Sequence, residues 1–372
     1  MAPSPWSSQP LKAIYIVCFW AINIPHLLFL SLKYTIAPLR AVPQWSYKIS
    51  MGAAIMRAFF RYLGKIRFQQ PLQLSPRHKS DGRFVLIPPP EPSLVRGVLS
   101  TRAAATKLAP VGAVWHPAPI TPGSTNTNLR VIIYAAGGAF VLGWDPEQNA
   151  ETVSAVATEH FGATNVLYMQ YRLASEENPF PAAVQDFFTT YQYVLDLGVA
   201  PSDIVVMGDS AGANIVLALL RYLAEEGLPQ PGGAVVFSPW VEVTSEAVER
   251  YDRSISRSYD ILDVPLLEWG VDAYRPRGKI LKQEEEAYIS PLNHPFRLEA
   301  PLFIDSGSLE GFYESISTFA KQMADVRGNR IQFNTSMDLP HDFFLTYPVL
   351  GTKEEACAVL RQAKTFLDGQ TN

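Results

Sequence analysis

Gly208-Asp209-Ser210-Ala211-Gly212 joins an apolar run, Asp203 to Met207, to a helical pattern that begins at Ala211. Ile204-Val205-Val206-Met207 is short, β-branched and preceded by Pro201, as a buried strand is, whereas Ile215, Ala218, Leu219, Tyr222 and Leu223 recur at helical spacing. The serine therefore sits on a strand-to-helix turn. Glycines two residues either side of it remove the Cβ atoms that would collide where strand and helix nearly touch, and the turn lifts the hydroxyl clear of the backbone. The helix N-terminus then favours negative charge developing beside it. Ordinary turns also contain this pentapeptide, so its surroundings decide whether Ser210 is a nucleophile.

A serine nucleophile needs a base, an acid that orients the base, and donors for the oxyanion. On an open parallel sheet these groups collect on loops at the carboxyl ends of strands, in the chain order serine, acid, histidine. Six histidines reduce to two on that rule. His294 precedes the strand Pro301 to Asp305, whose following loop must supply the acid, whereas His341 follows the strand Arg330 to Asn334 and is the expected base. Glu310, three residues past Gly307, is the expected acid; Asp305 falls within the strand and Glu314 a turn into the next helix. Gly137 and Gly138, after the strand Leu129 to Ala135, are the expected oxyanion donors, with Ala211 as the third.

The elements that must position these groups alternate. Phe84 to Ile87 and Val111 to Trp115 read as edge strands, Ala163 to Gln170 and Ala234 to Phe237 as further strands, and Asn149 to Phe161 as a helix. Another helix follows Pro181, and two more carry Phe312, Ile316, Phe319 and Met323, then Val359, Leu360, Ala363 and Phe366. This is the α/β pattern of a mostly parallel twisted sheet with helices on both faces. An insertion at 241–299, with little strand character and a charged stretch from Lys279 to Glu286, suits a helical cap. The expected segments are 1–33, 34–81 and a main domain 82–372 that contains the insertion.

Among the 372 residues 18% are charged and the formal charge is −4, which leaves no electrostatic footprint for nucleic acid. Two cysteines, Cys18 and Cys357, build neither a disulfide framework nor a zinc site, and no glycine-rich stretch has phosphate-loop spacing, so no metal and no cofactor is expected. Ala13 to Leu32 is uncharged with His26 neutral, and about 20 residues long, the length of a membrane-crossing helix. Asn23, Pro25 and His26 interrupt it, which also suits an interfacial, re-entrant or buried helix. Lys33, Arg40 and Lys48 outnumber the positive charge before the run, which taken alone keeps the main domain cytosolic. Met51 to Phe68 is an amphipathic basic helix, fit to lie on a membrane or to cover an active site.

Taken together, the motifs resemble the hormone-sensitive-lipase-like branch of the α/β-hydrolases, which includes bacterial esterases, arylacetamide deacetylase and steryl deacetylase. The likeness runs from Leu129 to the C-terminus through Tyr134 to Phe140, Tyr171-Arg172-Leu173-Ala174, Phe180-Pro181-Ala182-Ala183, Gly208 to Gly212, Ser238-Pro239-Trp240, Ser290-Pro291-Leu292, Gly307 to Glu310 and His341-Asp342-Phe343. It implies an α/β-hydrolase fold and a serine esterase acting on a small hydrophobic ester, with N-terminal helices contributing to a cap. Several deacetylases of the branch carry an N-terminal anchor and a catalytic domain in the lumen of the endoplasmic reticulum, opposite to the charge count, so the orientation stays open. The chain is also similar to fungal members that process acylated pathway intermediates. It departs from the family at Ala136, where a histidine is usual, and at Ala139, which replaces the third glycine of the loop. A Cβ at Ala139 costs roughly 1 kcal/mol if that residue needs positive φ. Because some members of such families have become receptors or dehydratases, the alternative reading is a ligand-binding protein or a non-hydrolytic enzyme of dehydratase or cyclase type.

Overall fold

Eight strands form one sheet in a computed structural model that describes residues 5–77, 82–100, 106–121, 129–278 and 280–369. Lys279, which opens the expected charged stretch, and the outermost residues of the three expected segments lie outside the described residues. The strands are β1 (Phe84–Ile87), β2 (Val111–His116), β3 (Val131–Ala135), β4 (Asn165–Gln170), β5 (Ile204–Asp209), β6 (Gly233–Phe237), β7 (Leu302–Gly307) and β8 (Ile331–Ser336), in the spatial order β1-β2-β4-β3-β5-β6-β7-β8. β2 runs antiparallel to β1 and β4, and every other pairing is parallel. β3, β5, β6 and β7 are buried at every position, which is why their sequences are continuous apolar runs rather than alternating ones.

Two helices precede the sheet, α1 (Leu11–Lys33) and α2 (Tyr47–Ile66). Next come α3 (Pro146–His160), α4 (Ala182–Asp196) and α5 (Ser210–Glu225). α6 (Ser245–Arg253), α7 (Val264–Tyr274) and α8 (Gln283–Ile289) make up the insertion between β6 and β7, and α9 (Tyr313–Asp325), α10 (Tyr347–Leu350) and α11 (Lys353–Leu367) follow. α3 packs with α11, and α4 with α5, to sandwich the sheet.

β5 runs two residues beyond the expected strand, because Gly208 and Asp209 still pair with Val236 and Phe237 of β6. The turn is thereby compressed onto Ser210, which adopts φ 49° and begins α5 itself, one residue earlier than the helical pattern suggests. The flanking glycines are sterically required: a Cβ on Gly212 would sit 2.0 Å from the Ala135 carbonyl oxygen, and one on Gly208 2.7 Å from the same atom.

α2 is the basic amphipathic helix, capped by the Ser46 hydroxyl accepting from the Ile49 amide and ended by Arg67 at φ 49°. Of its two expected uses, it covers the domain. The Arg61 guanidinium pairs with Asp263 at 2.9 Å, Arg57 donates to the carbonyls of Arg257 and Ser258, and Gly64 lies backbone to backbone against α7. α1 runs antiparallel along α2. The Ser31 and Tyr47 hydroxyls share a 2.8 Å hydrogen bond at one end, and the Tyr62 ring stands 5.1 Å from Phe19 and 5.6 Å from Trp20 at the other. Asn23 does not break this helix, since its amide donates to the Phe19 carbonyl at 2.8 Å and is satisfied without water. Most of the apolar surface of α1 faces outward; Val17, Ile22 and Leu32 are 68%, 69% and 74% exposed. Its length and composition are those of a membrane-crossing helix, a character shared by anchors and signal sequences.

Gly64→Ala tests the α2–α7 contact, where an added Cβ would meet the Leu266 amide nitrogen at 2.5 Å. Alanine favours a helix by about 1 kcal/mol, but overpacking here costs about 1 to 3 kcal/mol. Urea denaturation should therefore show a net loss of stability, and a gain would mean that the helices part freely.

Candidate active site

Ser210 follows β5, and Glu310 and His341 lie in the loops after β7 and β8, so the parallel strands bring all three to the same end of the sheet. The Ser210 hydroxyl lies 2.8 Å from His341 Nε2, and His341 Nδ1 lies 2.6 Å from Glu310 Oε2. A carboxylate can only accept, so Nδ1 carries the proton and Nε2 is left to accept from the serine. The second Glu310 oxygen accepts from the Ser306 hydroxyl, and the Phe312 ring meets the imidazole edge-on at 5.4 Å. Asp305 points elsewhere, towards β8: its Oδ1 accepts from Asn334 Nδ2 at 2.5 Å and from the Ser336 hydroxyl at 2.8 Å, and burial pushes its pKa up to about 7. His294 is also remote from this line; its carbonyl accepts from Arg221.

Burial alone would lower the imidazole pKa, but the hydrogen bond and charge of Glu310, reinforced by Asp260 and Asp209, outweigh it and hold His341 above its ordinary value. Asp260, in the insertion, carries no motif in the sequence. It is fully buried and accepts from three backbone amides: His341 at 2.9 Å, Gly311 at 3.0 Å and its neighbour Ile261 at 2.8 Å. One carboxyl group of the insertion therefore ties down both the loop of the base and the loop of the acid. Burial raises its pKa, while the His341 charge and the two loop amides pull the other way.

The turn after β3 requires a correction to the expected oxyanion donors. The Gly137 amide donates at 2.8 Å to Oδ2 of Asp209, the residue before Ser210, and so is already engaged. A buried carboxylate takes the nearest donor, and Asp209 takes the Tyr134 hydroxyl as well, at 2.8 Å. The amides of Gly138, Ala139 and Ala211 have no acceptor among the described residues. Gly138 stands at φ 119°, Ala139 at φ 52° and Phe140 at φ 64°, so the position where glycine gave way to alanine does use the left-handed region. Trp144 closes the turn, its indole N–H donating to the Gly137 carbonyl at 2.9 Å.

Ser210, His341, Gly138 and Ala139 line a cavity of about 920 Å³ that is partly open to solvent. Its roof is apolar, with Met56, Phe59 and Phe60 from α2 and Ile261, Leu262, Leu266 and Leu267 from the insertion. No three His, Cys, Asp or Glu side chains among the described residues are grouped to hold a metal ion.

A family model described as the alpha/beta hydrolase fold matches residues 132–345. An acetyl-hydrolase of Streptomyces hygroscopicus is 30% identical over 234 residues, 62% of this chain and 73% of that protein. An esterase of Acinetobacter venetianus is 27% identical over 64% of this chain and 76% of its own length. The chain belongs to the alpha/beta hydrolase family. Its reaction class, shared with these relatives, is the hydrolysis of carboxylic esters. The crystal structure of an esterase from the bacterial hormone-sensitive lipase family shares this fold, with a TM-score of 0.60 at 22% identity over 88% of this chain and 99% of that one.

Next to Ser210 and His341 lie two more acids, Asp209 and Asp342, both buried. Burial raises both pKa values, and the Asp209 charge adds to burial in pushing Asp342 well above the carboxylate range, so the pair favours holding a proton between them. The folded state thus binds this proton more tightly than the unfolded one. The resulting stability is complete below the ordinary aspartate pKa and is lost as pH rises through the raised folded value. Asparagine retains a donor and cannot ionise. The melting temperature of Asp342→Asn should therefore fall less steeply than the wild type's from the ordinary carboxylate range upward, and parallel curves would count against the shared proton.

Proposed function

We propose that the chain cleaves short-chain acyl or acetyl esters of a hydrophobic metabolite through an acyl-enzyme on Ser210. The hydrogen-bonded line Ser210, His341, Glu310 at the end of an apolar cavity carries this reading. Ser210 Oγ attacks the ester carbonyl while His341 Nε2 takes its proton, and the Glu310 carboxylate stabilises the imidazolium that forms. The amides of Gly138, Ala139 and Ala211 receive the oxyanion as the tetrahedral intermediate forms. The imidazolium returns the proton to the departing alcohol, and water, deprotonated by His341, then releases the acid from Ser210. The apolar roof favours a hydrophobic group, because a polar one placed against it would lose water without gaining a partner from it.

The altered turn, with Ala136 and Ala139, favours the second reading, a non-hydrolytic enzyme or a ligand-binding protein of the same fold. A receptor has no use for a base aligned on a serine by a buried acid, so hydrolysis is preferred. α1, within segment 1–33, holds the protein to a membrane; α2, within 34–81, joins the insertion 241–299 as the cap. The resemblance to anchored deacetylases supports the endoplasmic reticulum as that membrane.

Incubation with a serine-reactive phosphonate should add one adduct, mapped to Ser210 by mass spectrometry of the digest. A folded protein that takes no adduct would leave the binding-protein reading. Glu310→Gln keeps the shape of the acid but removes its charge, so turnover of a good ester should fall by about three to four orders of magnitude. Asp305→Asn should retain most of it. The opposite pattern would reassign the acid while sparing the serine and the histidine.

A further inference from the structure

A second cavity, of about 1050 Å³, lies outside the one that holds Ser210 and shares two walls with it, the side chains of Phe59 and Trp144. Its outer wall is α1, where Lys12 and Ile16, one turn apart, face inward; its other walls include Leu63 of α2 and Leu142 of the oxyanion turn. Its lining is mostly apolar; Lys12, whose ammonium stands 5.9 Å over the Phe68 ring, Gln70 and Asp145 add polar groups. The catalytic cavity is the smaller of the two, so an extended hydrocarbon would need room beyond it. Of the two shared walls, Trp144 is pinned by its bond to the Gly137 carbonyl, whereas Phe59 is 39% exposed.

What lies outside this cavity is apolar too. Ile14, Val17, Leu28 and Phe29 of α1 are exposed over half or more of their surface, together with Leu32, and no acidic residue interrupts the helix. Soluble proteins rarely expose so continuous an apolar surface except where they meet another apolar phase. Because α1 lies along α2 for its whole length rather than projecting away, its outward face and the mouth of the second cavity meet that phase together.

We propose that the second cavity is a subsite for the long apolar arm of a membrane-dissolved ester, which enters from the lipid beside α1 and reaches Ser210 past Phe59. This rests on the hydrolase reading and extends it from short acyl groups to substrates with an extended hydrocarbon or isoprenoid-like portion. Lys12, in the lining of the cavity, sits where a polar end of such a molecule or a lipid phosphate would lie.

The test uses the full chain in phosphatidylcholine vesicles and a series of nitrophenyl esters from C2 to C12. Ile16→Trp, which fills the cavity without touching the wall of the first, should lower the C12 to C2 ratio of kcat/KM at least ten-fold, with thermal melts matched to wild type. Phe59→Ala should raise that ratio. An unchanged ratio in both variants overturns the subsite. A second readout does not depend on turnover. Dodecanoic acid with a terminal diazirine, photolysed in the same vesicles, should label residues 142–145 in the wild type and at least five-fold less in Ile16→Trp. Absence of that label overturns the subsite even if every ester is cleaved. If no ester is cleaved while the label appears and is lost in Ile16→Trp, the hydrolase reading fails and the subsite stands.

Discussion

A carboxylate buried away from water must be given donors or a proton, and the active end of this sheet is arranged around that requirement. Asp209 draws in the Gly137 amide from the turn after β3, the Tyr134 hydroxyl from β3 itself, and a proton shared with Asp342. Asp260 draws in the amides of Gly311 and His341. Glu310 takes the Ser306 hydroxyl and the imidazole. Each acid collects donors from segments distant in sequence, so loops that would otherwise drift are held within hydrogen-bond reach of one serine. Removing one acid would leave its donors buried without partners, at a cost of about 1 to 3 kcal/mol each, and would loosen two loops together.

Much of this was legible in the residues because the relevant forces are local. The sharp turn at Ser210 and the steric need for Gly208 and Gly212 follow from the strand-to-helix pattern, and the buried strands announce themselves as continuous apolar runs. Chain order along a parallel sheet was enough to prefer Glu310 and His341 over Asp305 and His294, and the structure brings the first two within 2.6 Å while Asp305 faces Asn334. What escaped was what depends on competition in three dimensions. Gly137 looks like a free donor until Asp209, 72 residues later, is found to occupy its amide. Asp260 has no signal at all, since nothing in a solitary aspartate of an insertion indicates that two distant loops close on it. Asp209 and Asp342 carried a weak one, as acids directly beside the expected nucleophile and base.

α2 shows how one helix can satisfy two unlike surroundings. One face supplies Met56 and Phe60 to the cavity and Gly64 to α7, while Arg57 and Arg61 bind the insertion, so a charge pattern that suits an anionic membrane is spent within the protein. Tyr62 on the same helix receives the aromatic side of α1. The roof of the cavity and the seat of the apolar helix are therefore the same rigid body.

The bond from Asn334 to Asp305 reaches beyond the sheet. Asn334-Thr335-Ser336 is an acceptor sequence for an N-linked sugar, yet Asn334 Nδ2 is the atom that donates to the buried Asp305 carboxyl, and Ser336 donates to the same oxygen. Glycan transfer and completion of β8 compete for one nitrogen. A chain that closed this sheet before meeting the transferase would leave a lumenal compartment unglycosylated at that position, so the absence of a sugar there would say nothing about which side of the membrane the domain occupies.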